Sequence, residues 1–471
     1  MLKRPIYNLN SDQMFVVENA INWYFNSSEQ LFQYDGPPGS GKSVVLNEIV
    51  NQLGLNINTE VAPMSFIGAA SLVMRTKGLY SAKTAHSWLY EIYDVPMLDE
   101  KGNQCRTATG EVRMVKRFKP KESLDPNIKL IIVDEAYSMP RSMRPIIESH
   151  GLKILACGDS NQLPPVKDKP AFLVDGKIYH LTQIMRQSGR DDIIFIANRV
   201  LRGLPLLNGY YGNSMVIDRQ DLNDDILMWA DVIICGTNRT RDNINNHMRR
   251  LNGHISPTPE YGERVVCRNN NWNIQAMDST GNVINLVNGL IGTVINWPNA
   301  DSFNVRDRTV KLDFACDIAG CVFQCVFNYD YILGNFEQRE IIREQYRYNK
   351  NPLFEYAYCI TCHIAQGSQF NKVVYIEEDL GYGIQNCLNL VGATRAVKQL
   401  VYVKSNGKAF PLYNDEYAPS VMGYDTSFEE KTKSYNERKR QREERRKERE
   451  AKKQKTKTVL TKQRKRKHYI Y

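Results

Sequence analysis

Short runs with little or no polar alternation recur along the chain, at residues 31–34, 129–133 (KLIIV), 153–157 (KILAC), 232–235, 373–376 and 400–403. Runs of four to eight apolar residues without alternation fit strands of a parallel sheet that is covered on both faces. The first is followed by a glycine-rich stretch and then by residues 44–53, a helix-like run (VVLNEIVNQL). Strand, loop and helix in that order predict a parallel α/β domain at the N-terminal side. The runs at 232–235, 373–376 and 400–403 predict a second parallel sheet, interrupted between residues 256 and 351 by short β-rich runs with glycine turns (GERVVCRNN, NGLIGTVINW, TVKLDFA). Residues 95–127 alternate weakly and contain the turn signals KGNQ and ATGE, which predict a projecting β-hairpin. None of the apolar runs approaches the ~20 residues that a membrane-spanning helix needs.

The glycine-rich stretch, residues 36–43, reads GPPGSGKS, a complete G-x-x-x-x-G-K-[ST] loop in its strand-loop-helix setting. Gly36, Gly39 and Gly41 let the backbone curl so that successive N–H groups point at phosphate oxygens, with Pro37, Pro38 and Ser40 completing the cradle. Lys42 is placed for the β- and γ-phosphates, and the Ser43 hydroxyl for Mg²⁺. The run at 129–133 delivers Asp134 and Glu135 at the C-terminal edge of the sheet, where parallel α/β domains bind ligands. Asp134 is expected to join Ser43 on the metal, and Glu135 to polarise the attacking water. ATP and Mg²⁺ are therefore the expected cofactors.

Charge changes the picture at one end only. The chain has 471 residues and a formal net charge of +10, but residues 429–471 hold 19 Lys and Arg against 7 Asp and Glu. Everything before them is close to neutral. That tail has almost no apolar residues and is expected to be disordered or a solvated single helix. Pairs such as Glu443/Lys447 and Glu448/Lys452 support the helix. The same charge suits sequence-independent binding to nucleic acid. Removing residues 429–471 is expected to flatten the dependence of DNA affinity on salt; an unchanged slope overturns the assignment. Ten cysteines scattered without a dense framework fit reduced thiols in a cytoplasmic setting. No membrane association is expected.

A resemblance to a known family begins at residues 158–166, GDSNQLPPV, which is similar to motif III of superfamily 1 helicases. The resemblance implies that Gln162 senses the γ-phosphate. Further stretches match in order: Gln13 in NLNSDQ resembles the Q motif that reads adenine; FIGAASLVMRTKG from Phe66 and KTAHS from Lys83 resemble motifs Ia and Ib; Arg186 in LTQIMRQ resembles the motif IV arginine. CGTNRTR, containing Asn238, resembles the opening of the second motor domain. YCITCHIAQGSQF resembles motif V, and LVGATRA resembles motif VI with Arg395 as its arginine.

The chain is thereby similar to the RecD/Dda group of superfamily 1B DNA helicases. The fold so implied is α/β: two RecA-like P-loop domains at 1–200 and 201–428, a pin-like hairpin at 95–127, an SH3-like barrel at 256–351 and the basic tail. Catalysis falls to Lys42, Glu135, Gln162, Arg186 and Arg395. Gln366 and Gly367 join the nucleotide site, and Phe66, Gly68, His86, Asn238, Thr361, His363 and Ser368 the nucleic-acid groove. The implied activity is ATP-dependent, 5′ to 3′ movement on single-stranded DNA with unwinding, in replication, recombination or repair. Expected partners are single-stranded and forked DNA and single-strand-binding or recombination proteins, with the helicase itself a monomer in the cytoplasm, nucleoid or nucleus. A translocase on RNA, a motor that displaces bound proteins, and the motor subunit of a nuclease complex share every motif.

Four features call for a separate reading. Motif Ia lacks its lysine, since residues 67–71 read IGAAS, and Tyr137 stands where a small residue is usual after D-E-A. Cys359-Ile-Thr-Cys362-His363 spells a haem-attachment pattern, but its continuation into AQGSQF suits motif V. Cys316, Cys321 and Cys325 lack a convincingly spaced fourth ligand and are expected in the core.

Overall fold

A computed structural model describes residues 7–405 except 97, 99–101, 107–109, 113, 167, 184–190, 257, 279–280, 282, 299, 305–307, 319, 335, 346–350 and 381–383. Arg186 and the basic tail at 429–471 lie outside the described residues.

In the first domain, helix α1 (Ser11–Asn26) leads into β1 (Leu31–Asp35), the glycine loop and α2 (Lys42–Leu53). There follow β2 (Val61–Ser65), α3 (Gly68–Thr76), β3 (Lys83–Thr84), α4 (Ala85–Leu89), the hairpin β4 (Tyr90–Pro96) and β5 (Met114–Pro120), then β6 (Leu130–Val133), α5 (Arg144–Glu148), β7 (Lys153–Gly158) and β8 (Ile178–His180). The sheet runs β3-β2-β6-β7-β1-β8, all parallel. Both faces are covered, which is why β6 reads LIIV. Leu130 and Ile132 join one core with α1 and α2, and Ile131 and Val133 join another with Ala136, Ile147 and Phe172. In α2, Val45, Leu46, Ile49, Val50 and Leu53 are buried against that first face; each such side chain contributes about 1.5–3 kcal/mol when fully buried.

Helix α6 (Asp191–Leu201) opens the second unit, followed by β9 (Gly209–Tyr211), β10 (Ser214–Asp218), α7 (Asp224–Trp229), β11 (Val232–Cys235) and α8 (Asn238–Leu251). An insertion then interposes β12 (Arg264–Cys267), β13 (Asn271–Met277), β14 (Val283–Leu286), β15 (Ile291–Val294), β16 (Phe303–Asn304), β17 (Thr309–Cys316), β18 (Val322–Asn328), α9 (Tyr329–Leu333), α10 (Phe336–Gln345) and β19 (Phe354–Tyr356). The parallel sheet resumes with β20 (Cys359–Thr361), α11 (Cys362–Ala365), β21 (Phe370–Ile376), α12 (Gln385–Thr394) and β22 (Ala396–Lys404). Its order is β20-β11-β21-β22-β10-β9, with only β9 antiparallel. The insertion is an antiparallel sheet ordered β16-β17-β15-β12-β19, with β18 on β17 and the β13–β14 hairpin beside it. Two parallel α/β domains carrying a hairpin and a β insertion are the expected class.

Three boundaries differ from expectation. The hairpin's first strand starts at Tyr90, five residues before 95, because YEIYDVP is exposed or half-exposed throughout and carries no burial signal. The insertion sheet extends past 351 to Tyr356, whose run merges in sequence with β20. Helix α6 packs its Ile193, Ile196, Ala197 and Val200 into the second sheet's core rather than the first, although it precedes residue 201.

Two leucines tie the units together. Leu163, in the loop after β7, is fully buried in the second domain's core, and Leu72 of α3 is buried in the insertion's core. Cys316, Cys321 and Cys325 lie in that insertion core, and Cys359 and Cys362 are fully buried, as expected for packing thiols. Among the described residues, no helix is long and apolar enough to cross a membrane.

Candidate nucleotide cleft and nucleic-acid groove

Register places three loops at one edge of the first sheet. Asp35 pairs with Gly158 across β1 and β7, and Val133 pairs with Ala156 across β6 and β7, so residues 36–41, 134–135 and 159–163 leave the sheet side by side. The glycine loop is tightly wound. A Cβ on Gly36 would lie 2.5 Å from Ser40 Oγ and 2.9 Å from Leu181 Cβ, and one on Gly41 2.3 Å from Gln13 Nε2. Gly39 and Gly41 hold φ of 89° and 84°, in the left-handed region. Gly41 caps α2, so the orphan N–H groups of the helix's first turn face the loop's hollow.

Lys42 Nζ donates to the carbonyls of Gly36 (2.7 Å) and Pro37 (3.2 Å), arching over the space a phosphate chain would fill. The buried Tyr34 hydroxyl donates to Lys42 O at 3.0 Å and anchors the lysine's backbone. Gln13 takes a double role. Its Oε1 accepts from Asn10 N (3.1 Å) in a capping box that starts α1, and its Nε2 donates to Ser40 O at 2.9 Å. The expected adenine reader therefore lines the cleft with its amide already holding the phosphate loop.

The acidic pair sits opposite. Glu135 N donates to Asp134 Oδ1 at 2.9 Å, and the Cys157 thiol donates to the same oxygen at 3.3 Å. Glu135 itself adopts φ 50°, a left-handed conformation uncommon for a side chain of its size. Burial and the adjacent Asp134 charge push its carboxyl above the usual range, against the pull of Lys42 and Arg395. A carboxylate with a raised pKa is the stronger general base. Gln162 is buried, its N–H donating to Asp159 O at 3.1 Å and its Nε2 3.5 Å from Asp159 Oδ2; burial likewise raises Asp159.

The second domain supplies the facing wall. Arg395 caps the C-terminal end of α12, 4% exposed, and donates to Val391 O (3.0 Å), Ser368 O (3.2 Å) and Thr394 Oγ1 (3.1 Å). Burial lowers its pKa, while Glu135 and Asp159, both across the cleft, raise it. Gly367 adopts φ 79°, and a Cβ there would lie 2.9 Å from Ala70 Cβ, so the domains meet closely beside the cleft. Gln366 donates to Leu163 O at 3.3 Å, which ties it to the loop of Gln162.

Together these walls enclose about 830 Å³, lined by Gln13, Pro38, Gly39, Gly41, Lys42, Ser43, Asp134, Glu135, Gln162, Gly367, Ser368 and Arg395. The volume suits a nucleotide. Ser43 and Asp134 offer the hard oxygen donors that Mg²⁺ prefers, and the buried Ser40 hydroxyl of the loop has no partner among the described residues, so the site fits a magnesium–triphosphate.

Two expected groove residues lie elsewhere. Ser368 lines the nucleotide cleft, because its carbonyl is what orients Arg395. Gly68 is buried against the insertion; a Cβ there would lie 2.8 Å from Asn288 O. The other candidates divide into two groups. Phe66 and His86 are half-buried neighbours with ring centroids 5.7 Å apart, and His86 stacks on Tyr90 at 5.5 Å. Burial lowers the pKa of His86, which disfavours the charged ring. Trp88 instead turns its indole N–H to Pro63 O at 2.8 Å. On the second domain, Asn238 is exposed at the start of α8, Thr361 is buried at the start of α11, and His363 is half-buried with its pKa lowered by burial. Glu378 fixes the Asn238 loop by accepting the N–H groups of Gly236 and Thr237, each at 2.7 Å.

Sequence reasoning missed Tyr90, the third ring of that aromatic strip. It also missed Asn47, Lys77, Asp317 and Ile318, all of which line the cleft. Asp317 and Ile318 come from the turn between β17 and β18, whose approach to the first domain has no local signal. Lys77 did have one, a Lys-Gly helix stop.

Comparison with solved structures returns the Pif1 helicase of Candida albicans, at 17% identity, 84% of this chain, 94% of that one and TM-score 0.46. Bacteroides Pif1 in complex with ADP-AlF3 and single-stranded DNA follows at 14% identity, 84% and 92% coverage and TM-score 0.44. No curated protein matches the sequence. Residues 8–203, which hold the phosphate loop, the acidic pair and Gln162, match the family described as AAA domain.

Proposed function

We propose that the protein is an ATP-hydrolysing DNA helicase that moves along single-stranded DNA and separates the duplex ahead of it. The observation that carries this reading is the convergence of Lys42, Glu135 and Arg395 on one cleft between two parallel-sheet domains. Lys42 and the α2 N-terminus bind the phosphates, and Glu135 accepts the proton of the attacking water. Ser43 and Asp134 hold Mg²⁺, which when bound neutralises charge on the β- and γ-phosphates. Arg395 reaches the γ-phosphate only when the second domain closes. Because Leu163 is embedded in that domain and Gln366 holds its carbonyl, a shift of the Gln162 loop is transmitted directly to it.

Both walls come from one chain, which supports a monomeric motor. The strip Phe66–His86–Tyr90 offers aromatic faces on which bases stack regardless of sequence. It leads into the β4–β5 hairpin, where Ile92 pairs with Phe118 and both are exposed. An exposed apolar pair on a projecting ribbon suits a wedge against the end base pair. Movement is 5′ to 3′, the direction implied by the motif resemblance, and the setting is replication, recombination or repair in the cytoplasm or nucleoid.

Duplexes with a 5′ or a 3′ single-stranded tail test the reading. Unwinding of the 5′-tailed substrate alone, with ATPase stimulated by DNA, is the expected result. Stimulation by RNA alone, or ATPase without strand separation, overturns it in favour of an RNA or protein-displacing motor. Replacing Phe118 with alanine is expected to slow unwinding about tenfold, roughly the loss of one stacking contact of 1–3 kcal/mol, with single-strand-stimulated ATPase unchanged. Equal losses in both assays would count against the wedge.

A further inference from the structure

Lys77 is a cation that lines the cleft and that the mechanism above leaves unused. Helix α3 stops where it does because Gly78 adopts φ +100°, with Gly78 N donating to Arg75 O (3.1 Å) and Leu79 N to Met74 O (3.1 Å), while the buried Leu79 closes the end. The backbone just before that stop is tied to α2: Asn47 Nδ2 donates to Lys77 O at 2.9 Å. Asn47 lies one turn beyond Ser43 on the same helix. The Lys77 side chain runs back along that turn, and its Nζ donates to Ser43 Oγ at 3.2 Å.

The other cations of the cleft are directed elsewhere, Lys42 to the carbonyls of its own loop and Arg395 to Ser368, Val391 and Thr394. Lys77 is therefore the cation that meets the hydroxyl assigned to the metal. A serine hydroxyl accepting from an ammonium has committed one of its two lone pairs and holds a cation where a metal would approach. A divalent ion held by the same hydroxyl would also be repelled by the ammonium, the more so inside a cleft.

We propose that Lys77 is a resident cation of the metal position: it holds Ser43 between turnovers, and Mg²⁺ must displace it for nucleotide to bind. The inference rests on the nucleotide-cleft reading. Its consequence is a raised Mg²⁺ requirement, because the metal-accepting conformation is populated only while Lys77 is away from Ser43. The device makes the cleft selective for the metal-bound triphosphate over free nucleotide.

Equilibrium binding of a fluorescent ADP analogue, followed at stepped Mg²⁺ without turnover, tests it. Lys77 is exposed, so Lys77→Met is expected to fold normally. The variant should reach half-saturation at about threefold to tenfold lower Mg²⁺, if the metal-accepting state is populated about a tenth to a third of the time in the parent. Lys77→Arg, which keeps the charge, should stay within about twofold of the parent. An unchanged midpoint in Lys77→Met overturns the proposal, as does a higher one, which would make Lys77 a phosphate contact instead. Failure of the unaltered protein to bind the analogue at any Mg²⁺ concentration would sink the cleft reading itself.

Discussion

Replacing Arg395 with alanine is expected to lower ATP turnover by about 10³-fold or more, the scale of an arginine finger on the transferring phosphoryl group, while nucleotide affinity falls only a fewfold. The asymmetry follows from where the residue stands. Lys42, Ser43 and the α2 N-terminus belong to the first domain and Arg395 to the second, so on the proposed reading the first group grips the nucleotide before closure and Arg395 arrives with it. An interaction made only in the transition state lowers kcat without weakening ground-state binding. Arg395 is also structural, since its guanidinium satisfies Val391 O, Ser368 O and Thr394 Oγ1 in a buried corner. Alanine removes a donor from each; Val391 O keeps the Thr394 hydroxyl at 3.3 Å, but Ser368 O loses its side-chain donor, at about 1–3 kcal/mol for a buried polar group. A thermal melt alongside the kinetics separates the two roles. Arg395→Lys keeps the charge but loses the fork, and should recover part of the stability and little of the turnover. A kcat loss below about tenfold in a normally folded variant would remove Arg395 from the reaction.

The chemistry of the first domain was legible because its signals are local. A glycine loop, an acid pair and GDSNQLPPV each follow an apolar run, and parallel pairing brings the ends of those runs to one edge. What the chain hides is how distant segments meet. Ser368 and Gly68 read as groove residues by their neighbours in sequence, yet one orients Arg395 and the other lies beneath Asn288. Those placements depend on how the second domain and the insertion pack on the first. Gln13 is an intermediate case. Asn10 and Gln13 form a helix-capping pattern readable from spacing, but the bond to Ser40 depends on how α1 packs beside the loop. The hairpin start was displaced because a ribbon exposed on both faces has no core to enforce alternation. Tyr90 thus escaped notice, although its contact with His86 joins the aromatic strip to the first strand of the hairpin.

Removing the charge of Glu355 is expected to destabilise the protein by about 3–5 kcal/mol, the usual cost of breaking a buried ion pair from one side. Glu355 lies on β19 with 2% exposure, where the insertion returns to the second domain. Its Oε2 is 2.8 Å from Arg241 Nη1 of α8 and 3.2 Å from Arg268 Nε; its Oε1 accepts from the Tyr331 hydroxyl at 3.1 Å and lies 3.8 Å from Arg343 Nη2. Asp242 accepts from Arg241 (2.8 Å) and Arg339 (2.9 Å). Four guanidiniums thus depend on these two carboxylates, with Glu340 on the half-exposed Arg343. In Glu355→Gln the shape is kept and the guanidiniums lose their central counter-charge. Burial alone would raise the Glu355 carboxyl, but Arg268, Arg241 and Arg339 override it and hold it at about 2, against 4.5 for an ordinary glutamate. A folded-state pKa below the unfolded one means the stabilisation is complete above about 4.5 and is lost as pH falls toward about 2. The difference in denaturation midpoint between the parent and Glu355→Gln should therefore be widest near neutrality and shrink as pH falls through that window. A difference below about 1 kcal/mol at neutral pH, the level of an exposed pair, would mean that the network does not fasten the insertion. Because the pair Arg241–Glu355 joins α8 to β19, adding Arg241→Met to Glu355→Gln should cost less than the two single changes together, since the second substitution removes a charge that had already lost one of its two carboxylates.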